Sequence, residues 1–114
     1  MVILALRSLF LSFLFLTNLH AVPQKQWKTN FLGTYPKLAC RGNGHWARCY
    51  GLPHQECETK MEQALKTCFN FIKIPADINL AGDGPLLGSL VAECGAKNFA
   101  HRWTKFRKEE RECL

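Results

Sequence analysis

The chain has 114 residues, 47 % of them hydrophobic and 21 % charged, with six cysteines and a formal net charge of +6. That length excludes two globular domains, a long repeat array and an enzyme with a separate cofactor domain. The apolar share is too high, and the charge too modest, for a disordered chain.

Residues 1–21 read as a signal peptide: Arg7 precedes an apolar run over 9–16 that only Ser12 interrupts, polar Thr17 and Asn18 follow, and small Ala21 closes the stretch. A membrane span needs about 20 consecutive apolar residues, and Arg7 divides this stretch too early for one. Nothing after Ala21 is long or apolar enough to span a bilayer. The expected location is therefore secreted or periplasmic. In an oxidising compartment Cys40, Cys49, Cys57, Cys68, Cys94 and Cys113 read as a disulfide framework. Six cysteines allow fifteen pairings, which spacing alone does not separate.

Residues 22–39 read as an N-terminal loop or extended segment, because Pro23, Gly33 and Pro36 interrupt any regular element. Trp27, Phe31 and Tyr35, at four-residue spacing, are expected to cover the core. Residues 40–114 form the expected disulfide-stapled domain. It opens on the turn signal Arg41-Gly42-Asn43-Gly44, whose glycines are suited to positive φ.

The clearest element is a helix over 53–71. Cys57, Met61, Ala64, Leu65, Cys68 and Ile72 share one face of a 3.6-residue period, and Pro53 suits a first helical position. Glu56 with Lys60, and Glu62 with Lys66, are acid-then-base pairs for its outer surface. Cys57 and Cys68 lie about 16 Å apart along that axis, whereas a disulfide needs α-carbons within about 7 Å. Each must therefore reach another element.

Residues 71–83 read as a connector whose Ile72, Ile74, Ile78 and Leu80 hold it against the core. A second helix is expected over 85–108, capped by Asp83, with Leu87, Val91, Cys94, Phe99, Trp103 and Phe106 on its apolar stripe. Beside that stripe runs a ridge of Gly84, Gly88, Ala92, Ala96 and Ala100, with Gly95 next to it. Such a ridge suits close helix packing, which offsets the cost of about 1 kcal/mol for each glycine in a helix. The expected fold is all-α: a small disulfide-stapled helical hairpin or bundle with the aromatic N-terminal segment laid across it. Its inter-helix bridge is Cys68–Cys94 or Cys57–Cys94, the former preferred.

The run Trp46-Ala47-Arg48-Cys49-Tyr50-Gly51-Leu52, then Cys57, a helical spacer and Cys68, with Gly84, Gly88, Cys94-Gly95 and Phe99 beyond, resembles a class of small exported, cysteine-containing helical bacterial proteins of unassigned function. The resemblance implies a helical, disulfide-bonded fold and nothing catalytic. Cys113 lies outside the pattern.

Candidate chemistry is sparse. His45, Cys49, His54 and Cys57 lack the paired spacings of a zinc site, so no metal or other cofactor is expected. Ser89 has no elbow motif and no neighbouring histidine. Glu93, beside the apolar stripe, and His101 would need a cleft and a second polar group to serve a hydrolase. The most function-like feature is the basic-aromatic stretch Arg102, Trp103, Lys105, Phe106, Arg107 and Lys108, diluted by Glu109, Glu110 and Glu112. It reads as a binding patch for an acidic protein or an anionic envelope surface. An exported chain with so few aromatics among its cations is not expected to bind nucleic acid. The reading is a non-enzymatic interaction protein, with a cationic membrane- or envelope-active protein as the alternative.

Overall fold

The computed structural model describes residues 21–42 and 44–113. The expected leader therefore lies outside the described residues, apart from Ala21. In chain order the elements are β1 (Ala21–Pro23), α1 (Gln24–Ala39), α2 (His45–Tyr50), α3 (His54–Phe69), β2 (Asp77–Asn79), α4 (Asp83–Arg102), a 3₁₀ turn (Thr104–Phe106) and the single-turn α5 (Glu110–Cys113). The fold is all-α in character, with three disulfides fastening the helices.

The α3 helix follows the predicted period. Cys57, Met61, Ala64, Leu65 and Cys68 are all fully buried, and full burial of a side chain the size of Met61 or Leu65 stabilises by about 1.5–3 kcal/mol. Its outer face carries both expected ion pairs, Lys60–Glu56 and Lys66–Glu62. Helix α4 buries Gly84, Leu87, Val91, Gly95 and Phe99 and lies antiparallel to α3. Leu65 meets Gly95, Lys60 meets Trp103, and Cys68 bonds Cys94 with α-carbons 6.0 Å apart. That is the preferred inter-helix bridge. Cys57 pairs instead with Cys40, and Cys113 pairs with Cys49, 64 residues away in sequence.

Five expectations are corrected. The segment 22–39 is not a loop: it contains a helix of 16 residues. Pro23 sits at its N-cap, where a missing N–H costs nothing, and Pro36 falls in the last turn. Gly33 is tolerated because the four-residue spacing puts Trp27, Phe31 and Tyr35 on one face. These rings stack at 5.2 Å in each successive pair, and Phe69 of α3 meets the first two edge-on. The segment does lie across the hairpin, with Phe31 against Gly88 of α4.

The connector is also more ordered than a loop. Ile78, fully buried, centres β2, which pairs antiparallel with β1 through Ala21–Asn79, Val22–Ile78 and Pro23–Asp77. The Gln24 side chain donates to the Ile74 carbonyl at 2.6 Å and its backbone N–H to the Ala76 carbonyl at 2.7 Å. At the start of α4 the N-cap is Gly82, not Asp83. The Asn79 side-chain oxygen accepts the N–H groups of Ala81 and Gly82 there, shaping the turn into the helix. The one positive φ among the described residues is at Gly51, +61°, where α2 ends; Gly44 is extended.

Lastly, α4 stops at Arg102 rather than running to 108. Thr104 donates its hydroxyl back to the Ala100 carbonyl at 2.6 Å, and Trp103 folds onto Phe99 at 5.0 Å between ring centres. The chain then turns toward α2, where the Lys108 N–H donates to the Cys49 carbonyl at 2.8 Å and the Cys49–Cys113 bridge holds the tail. A continuing helix would carry residues 107–113 away from α2 and leave that bridge unmade.

Candidate functional site

The break after Arg102 redistributes the basic-aromatic stretch. Instead of one helix face, Arg102, Lys105, Arg107 and Lys108 surround a turn that buries one ring and leaves the other exposed. Trp103 is 8 % exposed and Phe106 39 %. The cations pack over those rings. The Arg102 guanidinium lies 4.9 Å from the Trp103 ring centre and the Lys105 ammonium 5.2 Å from that of Phe106. A residue that sequence reading assigned only to an ion pair joins them: Lys60 of α3 stands 5.4 Å from Trp103 and 5.6 Å from Phe106, while also 3.5 Å from Glu56. A cation over an aromatic face gains about 0.5–1 kcal/mol at exposed sites, so the rings hold these charges in place at a modest energy.

The remaining members have structural duties as well. Lys108 runs its side chain over Gly51, where an added Cβ would sit 2.6 Å from Lys108 Cε. Arg107 lies in extended backbone after the 3₁₀ turn and faces Tyr50 of α2. Burial pushes the Tyr50 phenol above its ordinary pKa of 10.0, and the Arg107 charge pulls it partly back. Glu109 and Glu110 are exposed on the tail, and Glu109 is 3.8 Å from Arg111.

The other candidates are placed as follows. Cys49 and Cys57 are both disulfide-bonded, so neither thiolate is present to ligate a metal with His45 or His54. His54 instead pairs with Glu58 at 3.1 Å. Ser89 is exposed. Glu93 and His101 do line one open groove of about 630 Å³, together with Ile72, Leu90, Cys94, Lys97 and Asn98. All its polar side chains come from α4, and Glu93 and His101 stand about 12 Å apart along that helix rather than facing each other. Glu93 is committed to Lys97 at 3.1 Å. The groove has an apolar wall and a line of helix-surface charges, without the opposed acid and base that hydrolysis requires.

No protein-family model matches the chain, and no curated protein or solved structure matches it either. No helix among the described residues is long and apolar enough to cross a membrane.

Proposed function

We propose that this chain is an exported, non-enzymatic binding protein that engages an acidic partner through the cationic rim at the turn after α4. The observation that carries this reading is the gathering of Lys60, Arg102 and Lys105 around Trp103 and Phe106, with Arg107 and Lys108 immediately following in the chain. Export is supported by the leader pattern of residues 1–21 and by the pairing of all six cysteines, a chemistry of oxidising compartments. The resemblance to small exported helical bacterial proteins points the same way. An acidic protein surface fits better than insertion into lipid, because Trp103 is spent on the core and Phe106 lies beneath two ammonium groups.

The oxidised protein is expected to bind an immobilised polyglutamate surface and to release as salt shortens the Debye length from about 10 Å at 0.1 M to about 3 Å at 1 M. Lys105→Glu with Arg107→Glu is expected to weaken binding at least tenfold. Binding indifferent to that charge reversal overturns the reading. Vesicles of anionic lipid supply the alternative: if they capture the protein and polyglutamate does not, the partner is the envelope surface. Fractionation of cells expressing the tagged chain tests export directly.

A further inference from the structure

A second concavity lies on the other side of Arg107. Between α2 and the end of α4, His45, Trp46, Tyr50, Ala100, Thr104 and Arg107 enclose a cleft of about 320 Å³, at the lower end of the range for small-molecule sites. Its walls are aromatic. Trp46 and Tyr50 stack at 5.8 Å, both rest on Phe99, at 4.9 and 5.0 Å, and the His45 ring stands edge-on to Trp46 at 4.8 Å. The walls are also fixed in position. α2 is tied at Cys49 to the tail, and His45 Nδ1 is 3.2 Å from the Cys113 carbonyl, which accepts its proton.

The polar groups are few and unequal. Thr104 has already donated its hydroxyl to the helix. Tyr50 is only 4 % exposed, yet its hydroxyl makes no hydrogen bond to any described residue. The oxygen itself is not a buried orphan, a state found among the described residues at Asn98 Oδ1; it stands at the solvent edge of the ring, where a hydroxyl can donate to a molecule in the cleft. Arg107 lines the same cleft, and it carries a planar fork of donors suited to a carboxylate.

From these features we infer that the cleft is a binding site for a small aromatic carboxylate, its ring against Trp46 and its carboxylate accepting from the Tyr50 hydroxyl and the Arg107 guanidinium. This site goes beyond the rim: it takes a discrete molecule rather than a charged surface, and it depends on Tyr50, which the rim does not use.

Phenylacetate is the probe, titrated into the oxidised protein and followed by chemical shifts of the Trp46 indole, the Tyr50 ring and the Arg107 side chain. Saturable shifts confined to these groups are expected, with Kd on the order of 1 mM for a ligand of this size. Neutral phenylacetamide and ring-free acetate or inorganic phosphate are each expected to bind at least about tenfold more weakly. Tyr50→Phe keeps the ring and its packing, and is expected to weaken phenylacetate about tenfold or more, as is Arg107→Gln. Lys37→Gln, which removes an equal charge on α1, leaves binding unchanged. Equal affinity for phenylacetamide or for phosphate, undiminished binding by Tyr50→Phe, or no saturation by 20 mM overturns the proposal (the ceiling being about twentyfold the expected Kd). Polyglutamate binding by Tyr50→Phe is read in parallel: retained with phenylacetate binding lost, it separates the fate of the cleft from that of the rim.

Discussion

Gly95 is the tightest point between α3 and α4, and replacing it with alanine tests the packing directly. A Cβ built there would sit 2.5 Å from Leu65 Cδ2, 3.3 Å from Leu65 Cγ and 3.9 Å from Met61 Sδ. Neither neighbour has room to retreat, since Leu65 and Met61 are both fully buried. Overpacking of this kind costs about 1–3 kcal/mol, while alanine recovers about 1 kcal/mol of helix propensity, so Gly95→Ala is expected to destabilise by about 0–2 kcal/mol net. Gly33, mid-helix in α1, is the control: nothing lies within 4 Å of its added Cβ, and Gly33→Ala is expected to stabilise by about 0.5–1 kcal/mol. In a domain of this size each kcal/mol moves Tm by about 4–8 °C, so thermal melts of the oxidised variants separate the two signs. Leu65→Ala sharpens the test. It costs about 2–5 kcal/mol by itself, but in its presence the added Cβ at 95 loses its two tight contacts and keeps the ordinary one with Met61 Sδ, so Gly95→Ala becomes neutral or stabilising. If the penalty at Gly95 is the same with and without Leu65, or if Gly95→Ala raises Tm as Gly33→Ala does, the account of this contact is wrong.

Removing the Cys68–Cys94 pair by double alanine substitution is expected to cost about 3–4 kcal/mol, and removing Cys49–Cys113 somewhat more, because it closes 64 residues rather than 26. Denaturant midpoints decide it; a tail-pair variant that proves the more stable of the two contradicts the chain-entropy argument. Burial raises the phenol pKa of both Tyr35 and Tyr50 above 10.0. The folded state therefore holds those protons more tightly than the unfolded chain. Their contribution is complete below pH 10.0 and is lost as pH rises through the folded values. A phenolate absorbance titration checks this, and in Arg107→Gln the Tyr50 transition is expected to move higher still. Gly51→Ala forces a side chain into φ +61° and against Lys108; a loss of about 1–2 kcal/mol is expected, read from the same melts.

Much of the fold was readable because burial imposes a period. In α3 every member of the apolar stripe from Cys57 to Cys68 has no exposed surface, and the axial separation of Cys57 from Cys68 already forbids their pairing. Helix α1 runs against the reading of its breakers although Trp27, Phe31 and Tyr35 carry its period in plain view. Proline and glycine read as breakers, but Pro23 stands ahead of the first turn, where it costs little, Pro36 removes a single bond near the far end, and contacts with Phe69 and Gly88 decide the outcome. The end of α4 was not legible, because Trp103 and Phe106 continue the helical spacing. What draws the chain out of the helix is the cross-link to Cys49, far away in sequence; the bond from Thr104 to its own backbone is one that Thr29 and Thr59 also make inside helices that continue. For the same reason the six rim residues were identifiable as a stretch, whereas Lys60, which joins the rim from α3, and Tyr50, which faces Arg107 from α2, were not. No local pattern announces which side chain from a distant helix will arrive.

The pairing order of the cysteines has a consequence for biogenesis. An oxidant acting on a chain as it emerges meets Cys40 and then Cys49, yet Cys40 belongs to Cys57 and Cys49 must wait for Cys113 near the far end of the polypeptide. Any early bond between the first two thiols has to be undone by exchange with a free thiolate. Reduced protein is therefore expected to regain its native pairing in higher yield under conditions that allow thiol–disulfide exchange than under an oxidant alone.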